Sequence, residues 1–250
     1  MKRLALIGHP ITHSLSPELF RVAYAKIPEV AAKYTYNLIE QNSFEKAIEV
    51  IEQEQYHAFN VTAPFKQDAL ALANNHEQSV KEADASNLLI RSDRGFTAYN
   101  TDYLGVRQML SIRVSENHRE RVKVIVIGCG GAGRAAAIAA KDAGIETFVS
   151  NRDNEKCSLF CQKNKLESVK YENLARNINL FDIIIYTLPT HTSVINHIAQ
   201  SKIVIEANYK DPSINKTGHE WLYWQALSGF LLMTGAEPYR EGMKSFLGIK

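Results

Sequence analysis

The sequence predicts an α/β protein in two domains, one of them built on a doubly wound sheet. Three observations carry this. Val122, Val124, Ile125, Val126 and Ile127 form a β-branched apolar run of strand length, as in a parallel strand buried on both faces. Gly128, Gly130 and Gly133 follow at the spacing G-x-G-x-x-G. Residues 134–143 are alanine-rich and helix-prone, Gly144 stops them, and 146–150 reads as a second strand. A strand, a glycine turn, a helix and a strand within about thirty residues make a Rossmann-type dinucleotide-binding βαβ unit. Side chains at the glycine positions would block the tight turn and the approach of a pyrophosphate. The helix start, with Gly131 and Ala132, then offers N–H groups and a positive dipole end to the phosphates.

The end of the second strand selects the dinucleotide. An NAD site places Asp or Glu there to hold the ribose 2′-hydroxyl. This chain has Asn151 and Arg152, with Lys156 a turn later. A cation at that point suits a 2′-phosphate, so the expected cofactor is NADP. Asp153, directly after, counts the other way.

The rest of the chain fits around this unit. At 250 residues, 45% hydrophobic and 22% charged, it is long enough for two modest domains. A net charge of +2 gives no electrostatic case for nucleic acid or a membrane surface. No apolar stretch is long enough to span a bilayer, and the start of the chain reads as a strand rather than a signal peptide. Cys129, Cys157 and Cys161 contain no C-x-x-C and suggest reduced thiols in a cytoplasm, the last two on a semi-buried helix face. His191, His197 and His219 have no metal-ligand spacing, so no metal is expected.

In order, 4–7 is a strand leading to Ser14-Leu15-Ser16-Pro17. Ser16, Pro17 and Glu18 read as N-cap, first helical residue and first-turn acid of a helix to about residue 26. Ser14 and Ser16 either only cap, or hold a ligand carboxylate; the two readings weigh equally. Tyr34, Tyr36 and Leu38 alternate as a strand, and 43–52 is an amphipathic helix. A strand over 56–61 ends in Asn60-Val61-Thr62-Ala63-Pro64-Phe65-Lys66. Polar groups at a strand's carboxyl end are where open α/β sheets bind ligands, so Lys66 reads as functional. Helices are expected over 67–74 and 77–83, and a hairpin over 86–90 and 96–99. Asn100-Thr101-Asp102 opens a helix to about residue 110, and Asp102 alone could be an ordinary first-turn acid. The polar stretch 115–121 reads as a linker. Beyond Arg152 come a helix over 154–164, strands over 182–186 and 202–207, and a helix over 217–227 with Trp221 and Trp224 packing. A last apolar strand is expected over 230–233, then Gly235, and Glu237-Pro238 as the start of a final helix.

Together these segments resemble the shikimate dehydrogenase family, NADP-dependent enzymes of aromatic amino acid (chorismate) biosynthesis, over nearly the whole chain. The matching stretches are Ser14–Pro17, Asn60–Lys66, Asn87, Asn100-Thr101-Asp102-Tyr103-Leu104-Gly105 and Gly128-Cys129-Gly130-Gly131-Ala132-Gly133. The resemblance implies that Ser14 and Ser16 hold the substrate carboxylate, and that Asn60, Thr62, Asn87 and Asp102 hold ring hydroxyls. Lys66 and Asp102 would be the catalytic pair, Asn151 and Arg152 the 2′-phosphate site, and Tyr209 a substrate neighbour. Gly235 joins the glycine turn as a cofactor-side position. The substrate domain would comprise 1–102 plus the returning helix 236–250, and the NADP domain 103–235. The implied reaction is reversible hydride transfer from NADPH to 3-dehydroshikimate in a soluble, cytoplasmic monomer or homodimer. Alternatives are the same chemistry on quinate or a related hydroxy acid, and a non-catalytic NADP sensor, against which the retained Lys66 and Asp102 argue.

The chain departs from the family at four places. Phe20-Arg21 stands for His-Asn. Tyr186-Thr187-Leu188-Pro189-Thr190-His191 stands for Asn-Ala-Thr-Pro-x-Gly. Tyr209-Lys210-Asp211-Pro212 has one residue more than Tyr-x-Pro. A substrate glutamine expected on the last helix, counted from Gly229 and Gly235, falls on Gly242.

Overall fold

A computed structural model describes residues 1–116, 121–212, 214 and 217–249. Most of the expected linker over 115–121 lies outside the described residues. The chain divides into two compact units, Met1–Thr101 with Gln225–Lys250, and Asp102–Trp224.

The first unit opens with β1 (Lys2–Gly8), α1 (Ser16–Ala23), α2 (Pro28–Lys33), β2 (Tyr34–Glu40), α3 (Phe44–Gln53) and β3 (Ala58–Val61). There follow α4 (Asp68–Leu72), β4 (Asn75–His76), α5 (Gln78–Ala83), and the hairpin β5 (Leu88–Ser92) and β6 (Gly95–Tyr99). The strands form one mixed sheet in the order β2-β1-β3-β5-β6-β4. β1 runs parallel to both β2 and β3, while β3 and β5, and β5 and β6, are antiparallel. The hairpin closes on Gly95, whose φ of +103° is open to glycine and strained for other residues. One apolar cluster joins Ile7, Phe59, Val61 and Leu89 of the sheet to Ala47 and Ile51 of α3. The parallel β1–β3 pair sets the carboxyl ends of both strands side by side, through Leu6↔Asn60 and Ile7↔Val61.

α6 (Thr101–Glu116) leads into the second unit. That unit holds β7 (Lys123–Ile127), α7 (Gly131–Asp142), β8 (Glu146–Ser150), α8 (Asn154–Asn164), β9 (Glu167–Ser168), α9 (Leu174–Asn177), β10 (Ile183–Tyr186) and β11 (Ile203–Glu206). Its sheet is fully parallel, in the order β11-β10-β7-β8-β9. From β7 the chain winds outward through β8 and β9, then returns to the other side of β7 for β10 and β11. The reversal at β7 and β10 is a topological switch point, where such sheets bind ligands.

The structure corrects the end of the chain. Residues 230–233 are not a strand. They continue α10 (Thr217–Thr234), which is followed by α11 (Arg240–Leu247). Leu227, Phe230 and Met233 are buried while Leu231 and Leu232 are each 37% exposed. Burial every third residue is a helical face, and a four-residue apolar run does not reveal it. The sequence places the return to the first unit at 236; the compact units divide inside α10, before Gln225. Ser43 caps α3 by accepting the N–H of Lys46, as Ser caps do. Cys157 and Cys161 are fully buried rather than semi-buried, and Cys129 with them; all three are free thiols.

Candidate active site

In the first unit the predicted substrate residues gather at the carboxyl ends of β1 and β3 and along α10. α1 begins at Ser16, but neither serine caps it through its side chain in the expected way. Ser14 Oγ accepts the Ser16 N–H and donates to Ser16 Oγ, both at 3.2 Å. The two hydroxyls are thus paired and half-buried at the helix start. The loop carrying them is tied to β2: Glu40 Oε2 accepts the N–H of Ile11 at 2.7 Å and of Thr12 at 2.8 Å. Those bonds, the Ile11 one foremost, hold the Glu40 carboxyl below its ordinary range.

Asn60 sits at the end of β3, and its neighbours form a hydrogen-bonded chain. Asn60 Nδ2 donates to the carbonyl of Asn87 at 3.2 Å. Asn87 Nδ2 donates to Thr101 Oγ1 at 2.9 Å and to Gln225 Oε1 at 3.4 Å, and Asn87 Oδ1 accepts the Thr101 N–H at 2.6 Å. Thr62 and Lys66 occupy the turn after β3, where the Lys66 carbonyl accepts the Ser86 N–H at 3.0 Å, one residue from Asn87. Both side chains are half-buried.

Gln225 corrects the expectation for Gly242. A Cβ on Gly242 would lie 2.4 Å from the Tyr239 ring and 3.2 Å from Val22, so this glycine serves the packing of α11 on α1. A glutamine that does reach the predicted substrate residues comes from α10: Gln225, at Asn87. The count, taken from Gly229 and Gly235 onto the last helix, passed over Gln225, which the sequence already sets in a helix over 217–227. One turn beyond Gln225, a Cβ on Gly229 would meet Thr101 and Asn60 at 3.6 and 3.7 Å, which places this face of α10 over Asn60.

In the second unit Asp102 lies in the first turn of α6. It is buried and accepts the indole N–H of Trp221 at 2.9 Å. The same two helices are joined by the Arg113–Glu220 ion pair at 2.5 Å. Trp221 therefore holds a carboxylate and is more than the packing residue the sequence suggests. Tyr209 is half-buried, with its ring 6.0 Å from His219. The extra residue after it is absorbed by a turn in which Asn208 Oδ1 accepts the N–H of Lys210 and of Asp211.

The glycine turn leaves β7 at the switch point. Gly128 has a φ of +113°, and a Cβ there would strike Thr187 Oγ1 at 2.4 Å. Thr187 in turn donates to the Ile127 carbonyl at 3.0 Å, so this departure from the family braces the turn. A Cβ on Gly133 would sit 2.0 Å from the Gly128 carbonyl oxygen, whereas one on Gly130 would meet nothing within 4 Å. The turn is closed where helix and strand cross and open where a phosphate would approach. Gly131 and Ala132 form the first turn of α7, half-buried, with backbone N–H groups at the positive end of the helix. After β8, Asn151 is half-buried and Arg152 exposed. Asp153, which counted against NADP, caps α8 by accepting the Lys156 N–H at 2.9 Å. Beside the turn, the Ser150 hydroxyl is buried without a hydrogen-bond partner. An open glycine cradle, a helix start and an exposed cation fit a phosphorylated dinucleotide. Gly235 is corrected from a cofactor-side position: it ends α10 with a φ of +72° in the first unit. It lies next to Thr234, whose carbonyl accepts from Tyr34 at the amino ends of β1 and β2, opposite the ends where the predicted substrate residues gather.

Two family models match this chain. One, described as the shikimate dehydrogenase substrate binding domain, matches residues 6–89; the other, described as shikimate / quinate 5-dehydrogenase, matches 111–213. Together they take in about three quarters of the 250 residues. The chain belongs to the shikimate dehydrogenase family.

A shikimate dehydrogenase (NADP(+)) from Aquifex aeolicus is 28% identical over 258 residues, covering 96% of this chain and 94% of that one. A crystal structure of shikimate dehydrogenase from the same organism superposes with a TM-score of 0.83 at 26% identity, covering 98% and 97% of the two chains. Quinate dehydrogenase from Corynebacterium glutamicum, in complex with NAD, gives a TM-score of 0.81 at 18% identity over 99% of each chain, a likeness of fold alone. The family's fold thus accommodates more than one substrate and cofactor, and the side chains must select between them. Among the described residues no group of His, Cys, Asp or Glu could hold a metal, and no helix is long and apolar enough to cross a membrane.

Proposed function

We propose that this protein is an NADP-dependent shikimate dehydrogenase, reducing 3-dehydroshikimate to shikimate and running reversibly. The observation that carries it is the hydrogen-bonded chain Asn60–Asn87–Thr101 with Gln225, beside the Lys66 turn. Amide and hydroxyl groups in that density suit a polyhydroxylated ring. The paired hydroxyls of Ser14 and Ser16 suit its carboxylate, Thr62 and Tyr209 add further polar contacts, and Gln225 supplies the contact first expected at Gly242. Asn151 and Arg152 hold the 2′-phosphate, and the glycine turn with Gly131 and Ala132 holds the pyrophosphate.

When bound, the cofactor supplies the hydride. Lys66 and Asp102 handle the proton that the nascent alkoxide oxygen requires. Such general acid–base help is worth about 10²–10⁴-fold in rate. The indole N–H of Trp221 holds one oxygen of Asp102 and so restrains the carboxylate. The free, buried thiols support a cytoplasmic enzyme, which would act as a monomer or homodimer.

The reading is tested with wild type and Lys66→Ala in one assay of shikimate oxidation by NADP. Wild type turns over, and Lys66→Ala loses kcat by about 10²-fold or more while its KM for NADP is retained. An equal kcat in the two proteins removes Lys66 from the chemistry.

A further inference from the structure

We propose that Tyr36, a residue of β2, is a positioning residue that fixes Asn60 as a hydrogen-bond donor toward the substrate; the proposal rests on the substrate reading above. Tyr36 Oη donates to Asn60 Oδ1 at 2.7 Å. Asn60 Nδ2 donates to the Asn87 carbonyl at 3.2 Å. The two partners together settle which end of the amide is which. A backbone carbonyl only accepts, so the nitrogen must face Asn87, and Oδ1 is left to face the phenol. An amide nitrogen carries two N–H donors and the Asn87 carbonyl takes one of them, so the half-buried Asn60 has a second to offer a ring oxygen.

The phenol can hold the amide because it is itself held. Phe20 of α1 stacks on the Tyr36 ring, with centroids 5.2 Å apart and planes at 27°. Phe230 of α10 meets it edge-on at 5.8 Å and 71°, and meets Phe20 edge-on at 5.1 Å. Stacked and edge-on contacts at these distances are the arrangements aromatic pairs favour, and together they hold the ring in place. Phe20 stands where the family resemblance expects histidine, so this departure forms one wall of the Tyr36 site. Tyr36 therefore links the helix that begins at Ser16, the strand that carries Asn60 and the helix that carries Gln225. Without the hydroxyl, Asn60 Oδ1 loses its partner and the amide is free to turn its oxygen toward the substrate.

The test is a double-mutant cycle on shikimate oxidation, using Tyr36→Phe, Asn60→Ala and both together, with the Asn60 side-chain amide followed in isotope-edited spectra of the ligand-free protein. Tyr36→Phe should raise the KM for shikimate about three- to tenfold, the effect of one hydrogen bond, with kcat and the KM for NADP within about twofold. In the Asn60→Ala background the same change should alter KM by less than about twofold, because the group it positions is gone. The Asn60 amide pair, identified by its loss in Asn60→Ala, should shift in Tyr36→Phe. A Tyr36→Phe effect of equal size in both backgrounds, or none in either, overturns the proposal. If wild type fails to oxidise shikimate, the substrate reading falls. The amide pair then decides the positioning by itself, and an unmoved pair refutes it.

Discussion

Asp102 carries the proposed chemistry, and its surroundings explain why side chains far apart in sequence matter to it. A first-turn acid on an exposed helix would be solvated, but Asp102 is buried and holds the indole N–H of Trp221. A sequence can place an acid at a helix start but cannot say that an indole 119 positions later will meet it. Gln225 teaches the same lesson. Its type was visible, yet its partner, Asn87, lies 138 residues away. The placement of Asn60 and Lys66, at and just beyond the carboxyl end of β3, was legible from the strand pattern alone. The glutamine assignment leads to a test at this scale. Gln225→Ala should raise the KM for shikimate about three- to tenfold, the effect of one lost hydrogen bond. Gly242→Ala, which crowds Tyr239, should lower the melting temperature and leave that KM unmoved. Steady-state kinetics and a thermal scan on both variants check this, and the reverse pattern would restore Gly242 as the substrate position.

At the scale of elements, the βαβ unit was the clearest reading, because each glycine answers a distinct steric demand. Gly128 needs a positive φ, Gly133 needs contact with the Gly128 carbonyl, and Gly130 opens to solvent. Gly133→Ala therefore strains the turn. We expect a loss of about 1–3 kcal/mol of stability and NADP affinity at least about tenfold weaker, measured by thermal unfolding and cofactor titration. Unchanged values of both would mean that the turn does not shape the phosphate site. The second half of α10 was the weakest reading. Its four apolar residues, 230–233, have no polar residue among them to mark the exposed side. Only the packing of Phe230 on Phe20 and Tyr36, with Leu231 and Leu232 left outside, reveals a helix. The Ser16 cap failed for a local reason: Ser14 Oγ takes the Ser16 N–H, and α1 starts at Ser16 rather than after it.

For the whole molecule, order along the chain carried more than any motif. A glycine turn alone fits many nucleotide-binding proteins, but the serine pair, the Asn60–Lys66 turn, Asn87, the Asn100–Asp102 segment and the glycine turn in succession fit one family, and the family models bear this out. What succession could not convey is where the chain re-enters the first unit, since that depends on α10 being a single helix. The fold does not choose between shikimate and quinate, or between NADP and NAD, because a quinate dehydrogenase bound to NAD shares it. Arg152, exposed beyond β8, and Asp153, occupied in capping α8, favour the phosphorylated cofactor. The most direct measurement is the initial rate of nicotinamide reduction, followed by absorbance, with shikimate and quinate each offered with NADP and with NAD. Shikimate with NADP should give the highest kcat/KM of the four pairs, by about tenfold or more over either single exchange. Equal or faster turnover of quinate, a preference for NAD, or no turnover of any pair would contradict the account.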